Sequence, residues 1–432
     1  MQKKVHGVKR KVNLDLERSI PPKTSIFNRK TGDRASATER PESAYSLSMP
    51  PLTFRRDFSI FTGTSLFCEL KILFINSSRV WGGNEKWTLR AAETLQARGH
   101  RVWMAIREPD IWTGHARTPV EQIVLPFLND ADLKTVFRLR RFIRRQDLDI
   151  VLPTRSRDYW LTGFARLGAR ARYVMRMGIT RNLPNTFKER LRYGVFPDGI
   201  VVNAEAVKQS LARYPWVKAE RIQVIYNGVD GAQSGEVLPP LKRDDEFLIV
   251  AAGRLDAEKG FDVLVHATAL AVKEIPSLRI IIFGQGGCTD LLQQQVTDLG
   301  LLGIVKLGGF TAKLPAALAQ ADLAVSSSHR EGISNFILES WSAGVPVIAT
   351  SIPGSVEIVT DGVRGRLVPP GDALAMARTI IETYGHPEQR AAWIAAGREA
   401  IKTTFNWSRM GESLESFLRD VSSRQLQRQR NS

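Results

Sequence analysis

Two carboxylates with seven residues between them, Glu331 and Glu339, are the strongest candidates for chemistry in this sequence. The stretch from Phe336 to Trp341 is apolar on most sides of a helix, so the helix should be buried, where a carboxylate is costly without a partner. Asn335 and Glu339 are four residues apart and share a face. A structural alternative is that Glu339 pairs with a core arginine. Backbone N–H groups at the start of this helix predict an anion site, contributed by Gly332, Ile333, Ser334 and Asn335.

A second candidate is the loop from Gly253 to Gly260, which follows an apolar strand and carries two cations, Arg254 and Lys259. Cations at the carboxyl end of a strand could hold a diphosphate, each charge-assisted hydrogen bond contributing about 1.5–3 kcal/mol. The alternative is a solvated turn in which the cations pair with Asp256 and Glu258. The spacing leaves both interpretations open.

Two glycine-containing loops also follow predicted strands. Gly82 and Gly83 lie between the first strand and the first helix, and Gly284 and Gly286 follow a later buried strand. Glycine lets the backbone approach a ligand closely, although ordinary turns explain both loops nearly as well. The second loop is not the dinucleotide fingerprint, which needs a further glycine.

Metal binding is not expected from this sequence. Asp147 and Asp149 resemble an acidic metal-binding pair, but they precede a predicted strand, whereas ligands of parallel sheets bind beyond the carboxyl ends of strands. Cys68 and Cys288 lie 220 positions apart and offer neither a disulfide framework nor a metal cluster. We therefore predict no metal site and no cofactor.

These loops need a scaffold that brings strand ends together. Short apolar segments alternate with helical periodicity from Leu70 onward, which is typical of parallel sheets with helices on both faces. The chain, at 432 residues, is also too long for one hydrophobic core. The predicted fold class is therefore α/β, with two Rossmann-like, doubly wound domains facing a cleft.

The domain boundaries follow from composition and periodicity. We predict a disordered basic extension at 1–69, an N-terminal domain at 70–230, a linker at 231–245, a C-terminal domain at 246–404, a helix at 405–422 that packs back toward the N-terminal domain, and a tail at 423–432.

The formal net charge of +17 predicts an anionic partner. The segment from Lys134 to Arg192 alone has an excess of 12 basic over acidic residues. Within it, a predicted helix near 132–146 places arginines beside apolar residues, a pattern that suits an anionic membrane surface. We expect attachment by charge rather than insertion, with the apolar side of the helix packed on the sheet.

No nucleic-acid partner is expected, because the sequence lacks a recognition motif and aromatic–basic interleaving.

Together, residues 70–420 resemble the retaining GT-B-fold glycosyltransferases of family 4, also called group 1. The resemblance rests on the order and spacing of the loops above, together with Asn227-Gly228-Val229-Asp230 and the run from Ser342 to Ala349. Within that family, the first domain is similar to enzymes of lipopolysaccharide cores or related cell-surface glycans. The resemblance implies transfer of a sugar from a nucleotide-diphosphate sugar to a glycan or lipid-linked acceptor, with retained configuration and without a metal ion.

The resemblance also implies a role for each candidate residue. Arg254 and Lys259 would hold the leaving diphosphate, and Glu339 would bind the ribose hydroxyls of the donor. Glu331 and the backbone of residues 332–335 would meet the sugar and the distal phosphate. The predicted catalytic set is Glu331, Arg254 and Lys259. The glycines would lie against the donor, with Gly82 and Gly83 in the acceptor-side N-terminal domain and Gly284 and Gly286 beside the nucleoside in the C-terminal, nucleotide-sugar-binding domain.

One stretch departs from the family pattern. Where many relatives carry a histidine after the fourth strand of the first domain, this chain reads Leu152-Pro153-Thr154-Arg155-Ser156-Arg157. The arginines indicate an anionic acceptor. Two other classes of protein share parts of this pattern. A non-catalytic sugar-nucleotide-binding protein would keep the donor residues, whereas a nicotinamide dehydrogenase would need the glycine fingerprint that is missing.

The targeting signals are weak. Basic residues near the start are followed by polar ones, unlike a signal peptide, and no segment approaches the ~20 apolar residues of a membrane-spanning helix. We expect a cytoplasmic protein that is peripheral at the inner face of the cytoplasmic membrane.

Overall fold

Seven parallel strands form the sheet of the N-terminal domain, in a computed structural model that describes residues 69–113, 118–231 and 238–430. Their order across the sheet, numbered along the chain, is 3-2-1-4-5-6-7. The first strand lies in the middle, where Ile72 pairs with Val102 on one side and with Ile150 on the other. The strands are β1 Lys71–Asn76, β2 Arg101–Ile106, β3 Glu121–Val124, β4 Ile150–Pro153, β5 Arg172–Met177, β6 Gly199–Val202 and β7 Ile222–Val224.

Helices cover both faces of this sheet, which is why its central strands are mostly apolar and almost entirely buried. The first helix begins directly after the glycine loop and buries Trp87, Ala91 and Leu95, which recur at helical spacing. The helices are α1 Gly83–Ala97, α2 Asp110–Thr113, α3 Leu133–Gln146, α4 Ser156–Ala165, α5 Phe187–Glu189 and α6 Glu205–Ala212.

The C-terminal domain contains a six-stranded parallel sheet with the order 10-9-8-11-12-13. Its strands are β8 Phe247–Ala252, β9 Leu278–Phe283, β10 Val305–Gly309, β11 Leu323–Ser326, β12 Val347–Thr350 and β13 Arg366–Val368. Its helices are α7 Phe261–Ala271, α8 Thr289–Asp298, α9 Leu314–Leu318, α10 Asn335–Ala343, α11 Pro353–Val356, α12 Ala373–Gly385 and α13 Pro387–Thr403. The final helix, α14, spans Trp407–Arg430.

The last helix returns to the N-terminal domain and packs against α1. A Cβ at Gly411 would lie 2.4 Å from the side chain of Thr94, and Nε of Arg98 is 2.6 Å from Oε2 of Glu415. α14 continues to Arg430, through most of the segment 423–432 that was expected to be a tail. The sequence there holds no glycine or proline and is rich in glutamine and arginine, which favour helices.

The basic helix α3 also differs from the prediction. Its buried residues, including Leu139 and Ile143, pack on the sheet as expected. However, Leu133 is 66% exposed and Phe137 is 64% exposed, so part of its apolar character faces solvent. These two residues are four apart and share a face that the sheet does not cover.

The two doubly wound α/β domains predicted from the sequence are confirmed. The predicted disorder of the extension falls outside the described residues except at Glu69, and so does the middle of the predicted linker, 232–237. In the described part of the chain, no helix combines the length and the apolar character needed to cross a membrane.

Candidate functional site

Lys259 and Glu331 come from separate loops of the C-terminal domain and meet at the carboxyl edge of its sheet. Lys259 ends a short 3-10 turn after β8, and Glu331 lies between β11 and α10. The ammonium group of Lys259 contacts Oε1 of Glu331. Burial lowers the pKa of Lys259 to about 8, and the carboxylate of Asp256 opposes this shift. Oε2 of Glu331 is buried and accepts no hydrogen bond from a described residue, so it remains an unused acceptor.

Arg254 lies in the same loop but points toward solvent. Its side chain is 74% exposed, and its Nη2 is 2.9 Å from Oδ2 of Asp256. This is the pairing that the solvated-turn interpretation predicts for Arg254. Lys259, in contrast, contacts a glutamate outside the turn. Of the two predicted cations, Lys259 is therefore the one held at the sheet edge in this conformation.

The amino end of α10 has no side-chain cap. Ser334 is the N-cap residue, and its side chain forms no capping hydrogen bond. Within the described residues, no backbone carbonyl accepts from the N–H groups of residues 332–335. Unused N–H groups at a helix start, together with the helix dipole, attract anions. The chain thus offers an anion site immediately after Glu331.

Gly82 is the N-cap residue of α1 and Gly83 is its first residue, and Gly83 faces the start of α10 from the other domain. A Cβ at Gly83 would lie 2.9 Å from Nδ2 of Asn335, the first residue of α10. Asn335 Oδ1 in turn accepts a hydrogen bond from Nδ2 of Asn227 at 2.8 Å. A side chain at position 83 would displace the Asn335 amide, so the absence of a Cβ allows this close contact at the domain boundary. The nearest atom to a Cβ at Gly82 would be Oε2 of Glu85, at 3.3 Å.

Glu339 lies one turn beyond Asn335 on α10, and both side chains meet the N-terminal domain, as their spacing predicts. The partner of Glu339 is Lys86 in α1, whose Nζ is 2.6 Å from Oε1. The structural alternative, a core arginine, is therefore not the partner. A second contact closes the same boundary, because the carboxylate of Glu357 accepts the N–H of Glu205 at 2.7 Å at the start of α6.

Little space remains between the domains at this point. The enclosed cavity measures about 10 Å³ and is bordered by Lys86, Asn227, Asn335 and Glu339, among others. That is room for about one water molecule.

Gly284 and Gly286 allow two loops to stack closely. A Cβ at Gly284 would lie 1.8 Å from the carbonyl oxygen of Gly253, and one at Gly286 would lie 2.2 Å from that of Leu255. Gly284 also has φ 145°, which favours glycine. These glycines thus have a packing role, which places their loop directly against the loop of the two cations.

Asp147 and Asp149 lie at the amino edge of the N-terminal sheet. Both pair with Arg170, at 3.3 Å and 2.7 Å, and Asp149 also accepts the backbone N–H of Lys71. Among the residues that the structure describes, no cluster of three or more His, Cys, Asp or Glu side chains could hold a metal ion. Metal independence stays a prediction.

Two functional candidates were missed by the sequence patterns. Arg176, in β5, donates to Oδ1 of Asn84 at 2.6 Å and to Oδ1 of Asn227 at 3.3 Å, and it lies over the Trp87 ring. Burial lowers its pKa to about 10, so it stays charged at neutral pH. The sequence did contain a signal for Arg176, because an arginine within a mostly apolar strand is a buried charge that needs partners. Lys86 gave no signal, because a lysine in a first helical turn is usually solvated.

Two family descriptions match this chain. The model of "Glycosyl transferases group 1" matches residues 238–400, and that of "Glycosyltransferase Family 4" matches residues 81–233. The first match contains the Lys259–Glu331 pair and α10, and the second contains the loop of Gly82 and Gly83. The two matches thus fall on the two sides of the site.

Curated relatives include proteins of glycan assembly. The chain is 25% identical over 337 residues to the lipopolysaccharide core biosynthesis glycosyltransferase LpsE of Rhizobium meliloti, covering 75% of this chain and 92% of that protein. It is 36% identical over 166 residues to the putative glycosyltransferase EpsD of Bacillus subtilis, covering 38% of this chain and 43% of EpsD. The chain thus spans less than half of EpsD but nearly all of LpsE.

Solved structures show the same fold. The Anabaena protein Alr3699/HepE in complex with UDP-glucose aligns with a TM-score of 0.71 and 23% identity, over 82% of this chain and 100% of that one. A glycosyltransferase from Rickettsia africae aligns with a TM-score of 0.72 and 20% identity, over 82% and 98%. These likenesses confirm the predicted GT-B arrangement of two Rossmann-like domains. With both family matches on the two sides of one site, the chain belongs to the group 1, family 4 glycosyltransferases.

Proposed function

We propose that this protein transfers a sugar from a UDP-sugar to an acceptor hydroxyl with retention of configuration. One observation carries the proposal: Lys259, Glu331 and the uncapped start of α10 are assembled at one sheet edge, opposite Gly83 of the other domain. A leaving diphosphate needs cations and N–H dipoles that are already in place, and this edge supplies both. The choice of uridine rests on the solved HepE complexes with UDP and UDP-glucose.

The donor roles follow the chemistry of each group. Lys259 would neutralise the diphosphate, joined by Arg254 once that side chain leaves Asp256. The N–H groups at the start of α10 would hold the distal phosphate, and Glu339 would accept hydrogen bonds from the ribose. Glu331 would orient Lys259 and present its unused Oε2 to hydroxyl groups of the sugar.

Charge develops on the diphosphate as the sugar leaves, so these groups act most strongly in the transition state. Removing one such stabilising group typically costs about 2.7–4 kcal/mol. In the mechanism that the family resemblance implies, the leaving phosphate takes the proton of the acceptor hydroxyl. Neither a protein nucleophile nor a metal ion is then required.

For the acceptor, we propose a lipid-linked or cell-surface glycan. The support is the relative LpsE, which carries a name from lipopolysaccharide core biosynthesis and matches over 92% of its length. The acceptor would enter along the N-terminal domain, whose strands β4 and β5 end beside the loop of Gly82 and Gly83.

We also propose that the protein attaches peripherally to the inner face of the cytoplasmic membrane. The support is α3, on which Lys134, Arg138 and Arg141 are exposed beside the exposed Leu133 and Phe137. A cavity of about 300 Å³ lies between α3 and α4 and is mostly apolar. Basic residues attract anionic lipids, and exposed apolar side chains add shallow insertion to that attraction. The sequence predicts attachment by charge alone, which would give the exposed apolar side chains of Leu133 and Phe137 no role.

The alternative is a non-catalytic protein that binds sugar nucleotides. It would keep Lys259, Glu331 and Glu339 and bind the donor, but it would not turn the donor over. Binding and turnover must therefore be measured separately.

The test is a thermal-shift screen of nucleoside diphosphates and their sugars with the full-length protein, followed by transfer to lipid-linked acceptors and NMR of the product anomer. We expect Lys259→Ala and Arg254→Ala each to lower turnover by about 100-fold or more, from the cost of one lost stabilising group. Arg378→Ala, on the exposed side of α12, is the matched control. Donor binding without turnover would favour the alternative, and near-normal activity in both site variants would contradict the assignment.

A further inference from the structure

Arg155 lies two residues after β4, within the stretch 152–157 that departs from the family pattern, and it contacts the segment that begins at the glycine loop. Its Nη1 is 3.2 Å from Oε1 of Glu85, two residues beyond Gly83, and it also contacts Oγ of Ser78. Ser78 follows β1, the neighbour of β4 in the sheet. The guanidinium is therefore fixed at the carboxyl edge of the N-terminal sheet, beside the place where the proposed reaction would occur.

Two further arginines at this edge have no salt-bridge partner among the residues that the structure describes. Arg157 lies in the first turn of α4, and Arg181 follows β5. Both are exposed, and neither forms an ion pair or hydrogen bond with another described residue. Arginines farther from this edge behave differently: Arg170 pairs with two aspartates and Arg172 pairs with Asp198.

The loop that carries Arg181 borders the donor side of the cleft. A Cβ at Gly332, next to Glu331, would lie 2.4 Å from the carbonyl oxygen of Gly178. Gly178 is three residues before Arg181 in the same loop. The loop that carries Arg181 therefore packs directly against the segment that is proposed to hold the donor sugar.

The acidic groups at this edge either pair with other arginines or, in the case of Asp158, interact with the charge of Arg157 from a buried position. Glu85 is already paired with Arg155. Asp158 is fully buried and accepts the backbone N–H of Ser77 at 3.0 Å, and burial raises its pKa to about 7. Glu108, after β2, is shared between two other arginines, Arg79 and Arg107. Arg157 and Arg181 thus remain exposed, and no described carboxylate forms a salt bridge with either of them.

We propose that the acceptor presents an anionic group, a phosphate or a carboxylate, to Arg157 and Arg181. Guanidinium groups bind both anions through paired N–H donors, and they discriminate against neutral sugars because the charge would otherwise stay unmatched. Arg155 positions this end of the site by joining β4 to the glycine loop. The inference rests on the proposed transferase function and adds the chemical class of its acceptor.

The experiment measures binding of three probes to the full-length protein saturated with UDP: octyl glucoside, octyl glucoside 6-phosphate and octyl glucuronide. We expect at least one anionic probe to bind about ten-fold or more tightly than the neutral one, as charge-assisted contacts allow. Arg157→Gln and Arg181→Gln should each remove most of that preference. Arg213→Gln, an exposed arginine after α6, is the matched control and should retain it.

The three probes separate the possible outcomes. Preference for the phosphate alone or for the glucuronide alone supports the inference and identifies the anion. Equal binding of all three, or a preference that survives in both Arg157→Gln and Arg181→Gln, overturns it. UDP affinity is measured on the same samples: its absence in the wild type would refute the proposed function itself, whereas normal UDP affinity without anionic preference refutes only this inference.

Discussion

Lys86 and Glu339 join the two domains through an ion pair in which Nζ and Oε1 are 2.6 Å apart. Glu339 is also the residue proposed to bind the donor ribose, and the cavity beside it measures about 10 Å³. In the proposed donor complex, a ribose hydroxyl would need the carboxylate that Lys86 now contacts. The proposal thus has donor binding and the interdomain contact compete for Glu339.

This competition gives the first prediction. Lys86→Met removes the competing cation, so UDP should bind about five-fold more tightly, which matches about 1 kcal/mol for a partly exposed ion pair. Glu339→Gln should weaken UDP binding, because its proposed partner is the ribose. Isothermal titration calorimetry measures both. If Lys86→Met weakens UDP binding as much as Glu339→Gln does, the two side chains form the ribose site together and the competition is refuted.

The second prediction concerns pH. Burial lowers the pKa of Lys259 to about 8, so the unliganded protein loses this cation as the pH rises through that value. Since kcat/KM reports ionisations of the free enzyme, it should fall above about pH 8. A pH–rate profile in the range from neutral to strongly alkaline measures this limb.

Lys259→Arg provides the control for that profile. Arginine stays charged to above about pH 12, so the alkaline limb near pH 8 should disappear even if the larger side chain lowers the rate. The shape of the profile, and not its height, is the readout. An unchanged limb in this variant would assign the ionisation to another group.

The third prediction is metal independence. It rests on Lys259 and the N–H groups of α10 acting where a magnesium ion would otherwise neutralise the diphosphate. Transfer in excess EDTA should stay within about two-fold of the untreated rate, since no metal-bound step is removed. Complete loss of transfer that added magnesium or manganese restores would show that the prediction is wrong.

The fourth prediction concerns the membrane. Neutralising Lys134, Arg138 and Arg141 together should weaken binding to anionic vesicles by about 100-fold, from about 1 kcal/mol for each basic residue near the surface. Phe137→Ser should weaken it by about ten-fold, as expected when a buried aromatic side chain is lost. Co-sedimentation with phosphatidylcholine vesicles, with and without phosphatidylglycerol, measures both.

The same vesicles supply the control. High salt should reduce binding to the anionic vesicles, because it screens the arginines. Arg378→Gln, in the C-terminal domain, should bind like the wild type. Equal binding to neutral and anionic vesicles, or binding that is insensitive to salt, would contradict an electrostatic attachment.

The sequence by itself determined the architecture, because the signals for it are local. Apolar runs such as 72–75 and 280–283 can be buried on both faces only inside parallel sheets covered by helices. Helix geometry alone places Asn335 and Glu339 on one face of α10. Ligands of parallel sheets bind beyond the carboxyl ends of the strands. The loops after β8 and after β1, which carry the cations and the glycines, are therefore expected to face the same cleft.

Only the tertiary structure decided which side chains meet. Lys86 and Glu339 are 253 positions apart, and nothing local distinguishes that lysine from a solvated one. The same holds for Arg254 and Lys259, which share a loop although Arg254 is largely exposed and Lys259 is mostly covered. It also holds for Phe137, whose exposure depends on how far the sheet extends beneath α3. Partners and burial depend on domains packing through space, whereas periodicity along the chain records only the elements that pack.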